Sequence, residues 1–179
     1  MKADDPKPLL YISEAYKELG DEDKALEYNQ QYMDKNPNAA PTDFMKLAEI
    51  YVNKAKKDPA KKIENIDKAI GVYAKLAEKY PTLKPFAKLQ EGNTAFQNEL
   101  DDKAIAAYTE VINELEAKQC DEDELSYLKT SYQYMGFIYT YDKQDFNTAK
   151  PYWDKLLKLD PQNKLANDAY EKAGLKPGE

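Results

Sequence analysis

The sequence contains no histidine and no arginine; all 26 of its positive residues are lysine, set against 33 acidic residues for a net charge of -7. Each absence removes chemistry. Without imidazole there is no Ser-His-Asp or Cys-His pair, no acid or base that titrates near neutrality, and no histidine-bearing zinc site. Without guanidinium there is no planar fork for bidentate grip on carboxylate or phosphate. The negative balance repels a phosphate backbone, whose binding depends on counterion release, so nucleic acid is not an expected partner. The single cysteine is compatible with either redox compartment.

Glycine is scarce at six, scattered singly, and no apolar run approaches the roughly 20 residues that cross a bilayer. The opening MKADDPKP is acidic and broken by proline where a signal peptide is basic and then apolar, so no targeting signal is expected in this sequence and the compartment stays open. What is present is the composition of a folded chain, 42% hydrophobic and 33% charged over 179 residues. That length suits one domain or one short repeat array.

Internal repetition decides between the two. Tyr132, Met135, Gly136 and Tyr139 stand at the spacing W-x2-L-G-x2-Y, and Ala149, Trp153 and Pro161 follow as A-x3-F and a closing proline. The same Ala-to-Pro interval recurs from Ala25 to Pro37 and from Ala69 to Pro81, while a further copy has Ala104 and Tyr108 in register but Glu116 in the proline's place. On these residues the chain resembles the tetratricopeptide-repeat (TPR) family. The resemblance implies an all-α superhelix, or solenoid, of four helix pairs with a C-terminal capping helix. It spans the chain as a single domain, with repeats at about 6–39, 41–83, 85–118 and 129–163 and the cap at about 163–174.

Residue patterns add detail. Leu9, Ile12, Ser13 and Tyr16 form one helical stripe ended by Gly20, and Phe44, Leu47, Ala48 and Tyr51 repeat it. Tyr51 to Ala69 is twice as long as Tyr16 to Ala25, so both helices of the second pair are expected to be elongated, with Asp58 and Pro59 beginning the latter. AKQCDEDEL lengthens the connection after the third pair, at an edge where insertions shape binding surfaces. Leu165, Ala166, Ala169, Tyr170 and Ala173 give the last helix one apolar stripe. Pro151 calls for a cap at Asn147 or Thr148, leaving the proline in a first turn. Leu9, Leu10, Tyr11 and Ile12 cannot all face one neighbour, so either the chain is cut from a longer repeat protein and associates through this end, or Leu10 and Tyr11 line the groove.

The stretch Tyr132 to Asn163 holds eight aromatic residues. Tyr132, Tyr139, Phe146 and Trp153 sit at pattern positions and are expected to pack between helices. Tyr134, Phe137 and Tyr141 lie off that stripe, and the family resemblance implies that such positions face a concave groove. Phe86, Leu89, Asn93, Phe96 and Gln97 share the equivalent face of the third repeat, and Gln133 extends it, giving apolar anchors with amides able to bond a peptide backbone. Lys88 and Glu91 occupy pattern positions there, however, and a one-residue shift of register would turn Phe86, Leu89 and Phe96 into core.

The resemblance also implies where a clamp for a terminal carboxylate would lie. Those positions read Leu10, Glu14, Lys46, Glu49, Gln90 and Asn93, of which only Asn93 matches, so that mode is not expected. Cys120, followed by Asp121 to Glu124, is expected to be inert, the acids serving a helix N-terminus, and Lys54, Lys56, Lys57, Lys61 and Lys62 to form a solvated end. The expectation is a non-enzymatic scaffold without cofactor or metal, binding a protein or peptide that is neutral or basic rather than acidic. The alternative is an assembly segment that binds through its ends.

Overall fold

The computed structural model describes residues 5–178. Among these residues no strand occurs, and the helices follow in sequential pairs. They are α1 (Lys7–Glu18) and α2 (Glu22–Lys35), α3 (Pro41–Lys57) and α4 (Lys62–Lys79), α5 (Lys84–Phe96) and α6 (Asp101–Leu115), α7 (Glu122–Phe137) and α8 (Phe146–Leu159), then α9 (Lys164–Lys172). The fold class is therefore all-α, with the repeated helix-pair plan and the closing helix. Contacts divide the chain into two compact units, Met1–Thr94 and Ala95–Glu179, with the division in the last turn of α5.

In the first unit α1 packs on α2, α2 on α3, and α3 on α4. The glycine at position 20 has φ 75° and closes α1: its N–H donates to the Lys17 carbonyl and that of Asp21 to the Tyr16 carbonyl, satisfying two otherwise orphaned acceptors. The small residue Ala25 is fully buried against α1, where the Ser13 hydroxyl donates to its carbonyl at 2.7 Å. The second pair is elongated as expected, at 17 and 18 residues. Asp58, however, ends α3 and leads into a 3₁₀ turn at Pro59–Lys61 before α4 begins. Two of the five lysines expected to be solvated instead tie helices: Lys57 reaches the Gly20 carbonyl at 2.8 Å and Glu22 at 2.9 Å, and Lys54 pairs with Asp23. Leu10 is buried rather than groove-lining, while Tyr11 is 63% and Ile12 38% exposed. The α1 stripe turns Ser13 inward and leaves Ile12 out.

In the second unit α6 packs on α7, α7 on α8, and α9 on both. Trp153 is fully buried at its centre, and its ring lies directly over Gly136, where an added Cβ would come within 2.5 Å of it. The helix pair approaches this closely because position 136 has no side chain. Beyond Phe137, α7 widens into a π-helical turn, Ile138–Asp142, whose Thr140 hydroxyl accepts from the Trp153 indole N–H at 2.8 Å. The cap of α8 is Asp145, whose carboxylate accepts from the Thr148 N–H at 3.1 Å. The helix consequently starts before Asn147, and Pro151 lies inside it, exposed to solvent, where it costs one backbone bond. On α9, Ala166, Ala169 and Tyr170 are buried but Leu165 and Ala173 are exposed, so the capping stripe is narrower than its apolar residues imply.

Candidate functional site

Of the residues expected to form the groove, Phe86, Leu89 and Asn93 belong to the first unit and Phe96, Gln97, Gln133, Tyr134, Phe137 and Tyr141 to the second. In the first unit Leu89 is buried and Phe86 packs against the hydrophobic core, which leaves no apolar anchor of this set fully presented there. The cause is register. Ala87 and Leu89 point inward, and Glu91 is buried beside a half-buried Lys88, the pair 3.1 Å apart within a helix turn. Asn93 is half-buried.

The second unit brings four of its six together. Tyr134 lies 4.6 Å from Phe96, Phe96 meets Phe137 edge-on at 5.6 Å, and Phe137 meets Tyr141 at 4.9 Å, all as centroid distances. Each ring is half-buried, so part of each remains accessible. Tyr108, a pattern residue of α6, is fully buried and stacks under Tyr134 at 5.4 Å. At the far end the Lys172 ammonium stands 4.5 Å above the Tyr141 ring. Spacing marked Tyr108 as a repeat position but not its contact with Tyr134, and it did not mark Lys172 at all. Gln133 accepts from the Asn163 side-chain amide at 3.3 Å, and Gln97 is exposed.

Backbone geometry fixes the row. Phe96 is the last residue of α5, and Glu99 just beyond it adopts φ 63°, a left-handed conformation that a side chain adopts at some cost. Its N–H donates to the Phe96 carbonyl at 3.0 Å, terminating the helix there. The π turn then carries Tyr141 to the edge of a cavity of about 390 Å³ lined by Thr140, Gln144, Phe146 and Lys172.

The pattern-position rings behave differently. Tyr132 and Trp153 are buried; Tyr139 stacks on Tyr152 and Phe146 packs edge-on against Tyr170. Tyr132 donates to Glu116 at 2.6 Å, and burial together with that carboxylate pushes its phenol well above the usual tyrosine range. Among the charged positions that a carboxylate clamp would need, Glu14 pairs with Lys46, and Glu49 pairs with Lys17 at 3.1 Å. They neutralise one another.

A tetratricopeptide-repeat family model matches residues 9–39 and 44–82, the stretch that forms the first two helix pairs. These two pairs are tetratricopeptide repeats, as the resemblance read from the spacing implies. Such repeats as a family mediate protein–protein interaction and are typically non-enzymatic scaffolds. No curated protein matches the chain. Among solved structures, the human IFIT1 dimer with PPP-AAAA is similar to it at 17% identity and a TM-score of 0.60, over 92% of this chain and 36% of that one. This chain thus spans about a third of that protein, and the likeness is one of fold. The C-terminal part of a TPR repeat-containing protein from Cytophaga hutchinsonii also aligns, at 17% identity and a TM-score of 0.35, over 94% of this chain and 88% of that one. Among the described residues no helix is long and apolar enough to cross a membrane.

Proposed function

We propose that the chain is a binding scaffold that holds a segment of a partner protein against the aromatic row of its second unit. The observation that carries this reading is the row itself: four rings, each half-buried and in contact with the next, drawn from α5, α7 and the π turn. Rigid aromatic anchors of this kind dominate binding energy because they lose little freedom on contact. An extended or helical segment would lay apolar side chains on Phe96, Phe137 and Tyr141, with Gln97 and Gln133 offering amides to its polar groups. The chain's net charge of -7 favours a neutral or basic segment, mainly through encounter rate, and makes binding salt-dependent. No step of this role requires catalysis, a cofactor or a metal.

The test is the double change Phe137→Ala and Tyr141→Ala, in a variant shown to keep its helicity, measured against a partner isolated with the native chain. Truncated anchors of this sort cost about 2 kcal/mol or more. Unchanged affinity would remove the row from the interface. A second reading then takes its place, favoured by the outer stripe of α1, where Tyr11, Ile12 and Leu19 are 63%, 38% and 79% exposed. In that reading the chain assembles through this end, and Tyr11→Glu, rather than a charge at buried Leu10, abolishes association.

A further inference from the structure

One place in the chain departs from the repeat in two ways at once: Glu116 replaces the closing proline, and the connection that follows is lengthened. A cavity of about 340 Å³ opens there, between the end of α6, the first turns of α7 and the end of α8. Leu115, Leu125, Leu128 and Leu159 line it with apolar surface, and Lys118, Lys155 and Lys158 stand around it. Leu115 and Leu128 are buried, while Leu159 is 37% exposed.

The polar groups have distinct tasks. Glu116 accepts from Tyr132 at 2.6 Å and from Lys155 at 2.5 Å. This holds the Lys155 ammonium 5.7 Å over the Tyr132 ring, so that cation is part of the wall. Lys118 is paired with Glu124 at 2.6 Å. Lys158 makes no ion pair among the described residues and stands at the rim, on a side that it shares with a second cavity lined also by Asp154. The wall also carries the chain's single cysteine, whose thiol donates to the Leu115 carbonyl at 3.3 Å. Tyr132 and Tyr134 are two residues apart on α7 and so point to nearly opposite sides, which separates this cavity from the aromatic row.

We infer that this cavity is a binding site for a small amphipathic anion, an acyl or arylalkyl carboxylate. Its apolar body lies on the four leucines and its carboxylate meets Lys158, with the remaining hydrogens of Lys155 in reach. The carboxylate in the lining, Glu116, is already paired with Lys155, which disfavours an apolar cation there. The pairing of an apolar floor with one lysine that makes no ion pair is what favours an anion in a chain whose net charge is strongly negative.

The cysteine supplies the measurement. Alkylation of Cys120 by N-ethylmaleimide, followed by mass, reads occupancy of the cavity at one site on the intact chain. Decanoate, kept below micellar concentration, is expected to slow it saturably, and decyltrimethylammonium, with the same tail and opposite head, is not. Lys158→Glu, a change at an exposed position, is expected to weaken decanoate by about five-fold or more and leave the melting temperature unchanged. Calorimetric titration of decanoate into the unmodified chain reads the same event without the thiol. Equal protection by both tails, absence of saturable heat, or an unchanged affinity in Lys158→Glu each overturns the proposal. Protection that rises with protein concentration alone also overturns it, by assigning the leucines to a second copy of the chain.

Discussion

The two units solve the same packing problem with different materials. In residues 1–94 the helices are tied by polar groups that reach across short gaps. The Ser13 hydroxyl meets the Ala25 carbonyl, Tyr32 donates to Asp43 at 2.8 Å, and Tyr80 donates to the Ala39 carbonyl at 2.7 Å. In residues 95–179 rings rest on rings, Trp153 fills the centre, and the backbone yields to them in a π turn. Small residues at the repeat positions permit both solutions. A large ring at the second-helix position requires that its neighbour be smaller still, which is why Gly136 lies under Trp153. Where the bulk is greatest, helical regularity ends, and the rings there are left half-buried.

The comparison predicts its own largest effect at Trp153. Trp153→Ala empties the centre of the second unit and strands the Thr140 hydroxyl that its indole satisfies. A loss of about 3 to 5 kcal/mol is expected from denaturant unfolding, with amide exchange accelerated most in residues 95–179. A loss under about 1 kcal/mol would mean that the rings, and not the tryptophan, hold that unit together.

The next effect sharpens the contrast by sign. Gly71 in α4 is exposed, and an added Cβ there meets nothing within 4 Å, whereas at Gly136 it meets the Trp153 ring at 2.5 Å. Gly71→Ala is expected to stabilise by about 0.5 to 1 kcal/mol, because only backbone freedom in the unfolded chain changes. Gly136→Ala is expected to destabilise by about 1 to 3 kcal/mol, because a rigid ring must shift. Thermal melts of the two variants decide it. Shifts of the same sign would show that helix propensity, not the close approach, governs position 136.

These residues also show what the sequence could reveal. The intervals from Ala25, Ala69 and Ala149 to their prolines specify the helix pairs because they encode close helix contact, a local requirement. Gly136 and Trp153 were legible for the same reason. Tyr134, Phe137 and Tyr141 could be placed off the stripe by helical period alone. The register of α5 could not be read, since Lys88 and Glu91 occupy apolar positions and pair with each other there, a compensation no periodicity reports. Lys172 over Tyr141 and Tyr108 under Tyr134 depend on contacts between helices distant in sequence. The cap of α8 was misplaced by three residues or fewer because Asp145, Asn147 and Thr148 are all competent caps, and only the fold selects among them.

The smallest effect concerns Glu116, the residue that stands where the other repeats close with proline. Burial raises its pKa, but hydrogen bonds from Lys155 and Tyr132 outweigh that and hold the carboxyl below the usual carboxylate range. A depressed folded-state value means that its contribution is fully present above the ordinary range, near pH 4.3 and higher, and is lost as pH falls through the folded value. Glu116→Gln keeps an acceptor for Tyr132 but removes the charge that holds Lys155. The group is largely exposed, so the expected loss near neutrality is below about 1 kcal/mol. Melts of parent and variant from pH 7 downward should converge as the acid range is entered. A difference that persists undiminished below that range would show that Glu116 acts through the shape of the α6 terminus and not through its charge. The tie between Lys155 and the Tyr132 ring would then have to be maintained by the ring alone.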